Sequence, residues 1–170
     1  MSLWTDNKIS ALAGIQKTNA ARLLDNAKIA YELIPYTVDP DNLAADHVAA
    51  ELGEDINQVY KTLVLRGDKT GHIVCVIPGN CEVDLKKAAK CVGEKSIEML
   101  KQKDLLSLTG YVHGGCSPIG MKKFFTTTIH NSAQNFDTII FSGGRVGLQL
   151  EMPFSSLSKA ITLSTADLIL

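Results

Sequence analysis

Two short apolar strands joined by a polar five-residue turn constrain the fold of this chain more than any other feature. Val59-Tyr60-Lys61-Thr62-Leu63-Val64-Leu65 and Ile73-Val74-Cys75-Val76-Ile77 flank Gly67-Asp68-Lys69-Thr70-Gly71, the pattern of a β-hairpin with a glycine-bounded loop. Strand side chains alternate faces, so Lys61 shares a face with Val59, Leu63 and Leu65. A lysine there is either a cation at a cavity lip, held rigidly enough to grip a phosphate or carbonyl oxygen, or a snorkelling side chain with its ammonium in water. The strand pattern leaves both readings open.

Around the hairpin, helices and strands mix without a regular βαβ alternation. A helix is expected from about Thr18, with Ala20, Leu23, Leu24 and Ala27 on one face. Tyr31 to Val38 reads as a strand that Pro35 confines to a sheet edge. A second helix runs from about Leu43 to Leu52 and stops at Gly53. The clearest helix is capped by Asp84, carries Leu85, Ala88, Ala89 and Val92 as its apolar stripe, and ends at Gly93. After a short helix near Asp104 to Leu108, strands are expected at Phe124–Ile129, Thr138–Phe141 and Val146–Glu151, with a last helix after Pro153. The fold class expected is α/β of α+β character: a mixed, largely antiparallel, barrel-like sheet with peripheral helices. With no repeats or linkers, residues 1–16 read as a loosely patterned extension and 17–170 as one domain.

Charge and cysteine content narrow the function classes. Ile29 to Tyr60 holds seven acids and no Lys or Arg, whereas Lys86 to Lys123 holds eight lysines against Glu94, Glu98 and Asp104. That layout suits one face that tolerates a polyanion, or simply solvated helix faces. An isoelectric point near 6.4 argues against avid non-specific nucleic-acid binding. The longest apolar run, Ile73 to Ile77, is too short to cross a bilayer, and Met1 to Gly14 lacks a secretory pattern, so a cytoplasmic, membrane-free location is expected. Cys75, Cys81, Cys91 and Cys116 form no Cys-x-x-Cys pair and read as reduced, packed thiols, so no metal and no cofactor are expected.

Two glycine-rich segments could complete a pocket. Gly114-Gly115-Cys116-Ser117-Pro118-Ile119-Gly120-Met121-Lys122 has the glycine gap of a phosphate loop. Met121 stands where that loop needs its lysine, and Pro118 removes an amide donor, so a nucleoside triphosphatase is rejected. A rigid backbone suited to a carbonyl or ribose oxygen remains, as does a plain tight turn. Ser142-Gly143-Gly144-Arg145-Val146-Gly147 reads as a turn between two strands. No Gly-x-Ser-x-Gly elbow or histidine triad is present; His113, beside Gly114, is the one histidine near a candidate loop.

In order along the chain, Val59-Tyr60-Lys61-Thr62-Leu63-Val64, Leu85-Lys86-Lys87-Ala88-Ala89-Lys90, Thr109-Gly110-Tyr111-Val112-His113-Gly114-Gly115-Cys116-Ser117-Pro118-Ile119-Gly120 and Ser142-Gly143-Gly144-Arg145 resemble the YbaK/prolyl-tRNA synthetase editing-domain family. The resemblance implies a trans-editing aminoacyl-tRNA deacylase of the cysteinyl-tRNA(Pro) branch. Lys61 matches the family's essential lysine, and Tyr36 its pocket tyrosine. Thr62, Gly114, Gly115, Ser117, Pro118, Gly120, Ser142, Gly143 and Gly144 match positions expected to bind substrate. Lys86, Lys87, Lys90, Lys122 and Lys123 are the expected tRNA contacts, and prolyl-tRNA synthetase is a further expected partner. In that branch the substrate's own thiol attacks its ester carbonyl, so no protein nucleophile is needed and positioning supplies much of the barrier reduction. Cys116 and the Ser155-Ser156 pair depart from the family pattern. An alanyl-tRNA(Pro) deacylase and a non-catalytic tRNA- or synthetase-binding module are the competing expectations.

Overall fold

The computed structural model describes residues 15–170, so the extension expected over 1–16 falls almost wholly outside the described residues. The chain opens with α1 (Asn19–Asn26), β1 (Glu32–Pro35) and α2 (Ala45–Leu52). The hairpin follows as β2 (Tyr60–Gly67) and β3 (His72–Pro78), then α3 (Leu85–Val92), β4 (Ile97–Met99) and α4 (Leu105–Thr109). The last third holds β5 (Thr126–His130), β6 (Thr138–Arg145), β7 (Leu148–Pro153), α5 (Phe154–Ala160) and β8 (Leu163–Ala166).

Local chemistry explains the best-defined of these elements. The β2–β3 register runs from Tyr60 opposite Pro78 to Arg66 opposite His72. At the turn, the Gly67 N–H donates to the Gly71 carbonyl at 2.8 Å, and Gly71 takes a φ of +73°, which glycine adopts without strain. The Glu94 carboxylate accepts the Lys69 and Thr70 amides and holds the loop from below. Asp84 caps α3 through the Lys86 and Lys87 amides, at 2.9 and 3.1 Å, and Thr18 caps α1 through Ala21. Ala27, expected on the buried face of α1, is its exposed C-cap.

The strands form two sheets, ordered β1-β7-β6 and β4-β2-β3-β5-β8. The β3–β5 and β5–β8 pairs are parallel and the remaining pairs antiparallel. The mixed, largely antiparallel character matches the expectation, and β1 takes the edge position that Pro35 required. The barrel-like closure does not hold. Among the described residues only the single parallel bridge Val59–Ile140 joins the sheets. β4 takes the outer edge of β2 at Leu65–Gly67, so β6 meets β2 only at its N-terminal end.

A second difference concerns β6. It extends to Arg145, with a register shift between Ser142 and Arg145, so Gly143-Gly144 is a bulge inside the strand and the turn itself is Val146-Gly147. Gly144 takes a φ of +106°, and a Cβ there would stand 3.1 Å from both Thr18 Cβ and Tyr111 Cε1.

The main core lies between the sheets, where Tyr60, Val64, Val74 and Val76 meet Leu33, Phe141, Leu148 and Leu150. On the opposite face of the hairpin, Leu63, Leu65, Ile73, Cys75 and Ile77 pack under Ala88 and Ala89 of α3. Val59 packs separately with Ala49 of α2 and Ile140. Lys61 therefore occupies the seam between the α2 and α3 clusters.

Candidate active site

That seam opens into a cavity of about 420 Å³. Val59 and Tyr60 to Leu63 of β2 line one wall, the start of α2 contributes Ala44, Ala45 and Val48, and the glycine loop contributes Gly114 and Cys116. Phe141 and Ser142 of β6, with Leu148 and Gln149 of β7, close the far wall. β2 is unpaired there because its outer edge is used only by the Val59–Ile140 bridge at one end and by β4 from Leu65 onward. The Leu100 N–H donates to the Val64 carbonyl at 3.2 Å, so even-numbered residues of β2 turn their backbone polar groups outward. The Thr62 N–H and C=O therefore face the open edge.

Lys61 is the cation of this cavity. It is half-buried, no acid lines the wall, and among the described residues it has no carboxylate partner. A cation held on a strand without a counterion is poised for an anionic ligand. The first turn of α2, whose N-cap Ala44 offers no side-chain cap, adds its positive end to the same space. Among the described residues three buried acceptors lack partners, and two of them, Thr62 Oγ1 and Gln149 Oε1, belong to residues of this wall; the third is Glu54 Oε1. Each of the two in the wall is a polar atom that a ligand donor would satisfy.

Of the residues expected from sequence, Tyr36, Lys61, Thr62, Gly114 and Ser142 meet at the cavity. Ser142 Oγ accepts the Gly144 amide at 3.2 Å, which ties that side chain to the bulge. The other loop residues shape the wall from behind. Ser117 is fully buried and its Oγ accepts the Ile119 amide. A Cβ on Gly115 would stand 2.8 Å from the Val146 nitrogen, and one on Gly143 2.9 Å from Leu148 Cγ. Pro118 and Gly120 line a separate groove with Lys122 and Lys123. Lys86, Lys87 and Lys90 lie on α3, and Lys87 is engaged by Asp167 at 2.8 Å and by the Ile169 carbonyl at 2.7 Å.

Gln149 is the residue that sequence reading missed. It is 5% exposed, and nothing in Leu148-Gln149-Leu150 marks its amide as facing a cavity rather than solvent. Cys116 lines the wall, but burial pushes its thiol up to about 12, so it stays protonated and is a poor nucleophile. His113 sits exposed at the rim. Among the described residues the site holds no base–nucleophile pair. It offers a cation, hydroxyls, an amide and an apolar wall.

The model of the aminoacyl-tRNA editing domain matches residues 39–160, most of the chain and all of this cavity except Tyr36. The chain belongs to that family. This editing domain is 50% identical over 137 residues to an Enterococcus faecalis protein provisionally named Cys-tRNA(Pro)/Cys-tRNA(Cys) deacylase EbsC, covering 81% of this chain and 84% of that one. It is 28% identical to a Thermosipho melanesiensis proline–tRNA ligase over 82 residues, 48% of this chain and 14% of the ligase. Its fold superposes on a crystal structure described, again provisionally, as a trans-editing enzyme for prolyl-tRNA synthetase. The TM-score is 0.79 at 21% identity, over 92% of this chain and 99% of the other.

Proposed function

We propose that this editing domain acts in trans as an aminoacyl-tRNA deacylase that removes cysteine from mischarged Cys-tRNA(Pro), with Cys-tRNA(Cys) as a second substrate. The observation that carries the reading is Lys61: a cation that is unpaired among the described residues, in the wall of a largely apolar cavity that no described acid lines. The 50% identity to the Enterococcus faecalis protein supports the substrate assignment.

The cavity, at about 420 Å³, lies within the size range of small-ligand sites and suits an aminoacyl group with part of its nucleoside. Lys61 anchors phosphate or ribose oxygens of the tRNA terminus, and the outward Thr62 amide lies within the same wall as a donor for the ester carbonyl. With no activated nucleophile among the described residues of the cavity, the cysteine substrate supplies its own. Its sulfur bonds to the carbonyl carbon, the ester C–O bond breaks, and the thiol proton ends on the ribose oxygen, leaving free tRNA and a cyclic thioester. Holding the thiol against the carbonyl is where the protein lowers the barrier. A synthetase partner is part of this proposal, since related domains lie within proline–tRNA ligases.

Incubation with labelled Cys-tRNA(Pro), Cys-tRNA(Cys) and Ala-tRNA(Pro) tests the reading. Release of cysteine with alanine retained is expected. Faster loss of alanine would reassign the substrate, and inertness on all three with tRNA still bound would make the protein a binding module.

A further inference from the structure

The second groove carries a feature that the reaction does not use. Phe124 is 75% exposed, the most exposed aromatic side chain among the described residues, and both Lys122 and Lys123 beside it are exposed. All three line a groove of about 260 Å³ with Leu23, Met121 and Phe125. No lining residue is acidic, and the chain carries no Asp or Glu from Leu105 to Phe136.

The segment is held, so the outward ring is a built position. The Lys122 amide donates to the Thr109 carbonyl at 2.9 Å, and the Lys122 stem lies along Gly110, where a Cβ would meet its Cγ at 3.3 Å. Phe125 turns inward, with its ring edge-on to His72 at 6.3 Å between centroids. Strand-like alternation then sends Phe124 outward. An exposed phenyl ring forgoes the stabilisation that burial would give, and aromatic faces flanked by cations are the means by which proteins hold unpaired bases.

The groove is continuous in sequence with the active site. Cys116 lines the cavity and Pro118 lines the groove, and two residues span at most about 7 Å. Given the deacylase reading above, on which this inference rests, the loop that walls the cavity for the terminal residue also walls this groove.

We propose that Phe124 is a stacking platform for an unpaired base of the tRNA acceptor end, with Lys122 and Lys123 holding the phosphates on either side. Two lysines beside an exposed ring, with no acid lining the groove, suit this polyanion.

The test uses the full chain and an acceptor-stem hairpin with 2-aminopurine at each single-stranded 3′ position in turn. One position is expected to quench on binding to the wild type and to Phe124→Trp, and to lose that quenching with Phe124→Ala. Loss of the stack weakens binding by roughly tenfold or more and raises KM for Cys-tRNA to match, with an unchanged melting curve confirming the fold. Lys122→Ala and Lys123→Ala each lower the slope of log affinity against log salt by about one. Wild-type quenching, affinity and KM in Phe124→Ala would overturn the proposal while leaving the deacylase intact. A wild-type dimer that Phe124→Ala splits, with no change in RNA binding, overturns it in favour of a protein interface. Inertness of the wild type on every charged tRNA, with quenching present, defeats the deacylase reading instead.

Discussion

The Tyr111 hydroxyl donates to the Ile119 carbonyl at 2.6 Å and closes the glycine loop from inside. Both residues are buried, and Gly120 follows with a φ of +79° that leaves no room for a Cβ, which would stand 2.8 Å from Tyr111 Oη. One phenol thus fixes the loop that carries Gly114 and Cys116 to the cavity.

Tyr111→Phe leaves the Ile119 carbonyl buried without its donor. The expected cost is about 1–3 kcal/mol in urea unfolding. Deacylation should fall further than the lost stability explains, because the cavity wall loosens with the loop. Full activity in the weakened protein would show that the loop needs no such brace.

Lys61 separates activity from stability. It is half-buried and, among the described residues, unpaired, so the folded state loses no partner when its charge is removed. Lys61→Met is expected to melt no lower than the wild type, since a methionine fills apolar space without a charge to hydrate. Turnover of Cys-tRNA should drop by roughly a hundredfold or more, the usual loss when a charge-stabilising group is deleted. Undiminished turnover in Lys61→Met would remove Lys61 from the reaction.

The hairpin, the Asp84-capped helix and the face that Lys61 shares with Val59 and Leu63 were legible because each rests on local signals: alternation, a cap, a glycine-bounded turn; whether that lysine met a cavity or water was not. β4 and β8 were not. Ile97-Glu98-Met99 and Leu163-Ser164-Thr165-Ala166 are short and partly polar, and they become strands only because β2 and β5 offer free edges. The Gly143-Gly144 pair signals positive φ equally well for a turn or a bulge. Thr18 and Tyr111, distant in sequence, decide between them by closing on Gly144. At the site, Ser117 and Gln149 exchange the roles that sequence suggested. Ser117 sits in a loop that looks functional but spends its hydroxyl on Ile119, whereas Gln149 looks like a strand residue and presents an unpaired oxygen.

Glu54 lies behind Gln149 and offers a stability test that spares the cavity wall. Burial, chiefly, lifts its carboxyl above the ordinary value near 4.5; a contact with Gln149 opposes that and the nearby Glu151 charge adds to it. A carboxyl raised in the folded state contributes stability below its unfolded pKa and loses it as pH rises through the folded one. Glu54→Gln keeps the shape and removes the charge, so its Tm should exceed the wild type's at pH 7 to 8 and converge with it in acid. A lower Tm at pH 8 would mean that the carboxylate is a net asset to the fold.

His130 sets the opposite slope at the other end of the molecule. Its Nδ1 accepts the Leu168 amide at 3.2 Å, while Asp167 approaches at 3.8 Å and is itself paired with Lys87. Burial holds the imidazole below its usual pKa of 6.5; Asp167 opposes that shift and Lys87 reinforces it. The unfolded chain therefore binds the proton first, and stability, complete above about pH 6.5, falls as pH drops toward the lower folded value. Protonation at Nδ1 also removes the acceptor that Leu168 uses, which loosens the C-terminal segment where the Asp84 amide donates to the Leu168 carbonyl at 2.7 Å. Hydrogen exchange at Leu168 should quicken as pH falls below the unfolded value of 6.5, and His130→Asn, which keeps an acceptor but cannot titrate, should flatten that rise once the intrinsic pH dependence of exchange is removed. The Asp167 carboxyl is held below its ordinary value, chiefly by Lys87, so its own loss falls at lower pH and leaves the His130 step to be read alone. Exchange at Leu168 with the same pH profile in both proteins would break the assignment of that step to His130.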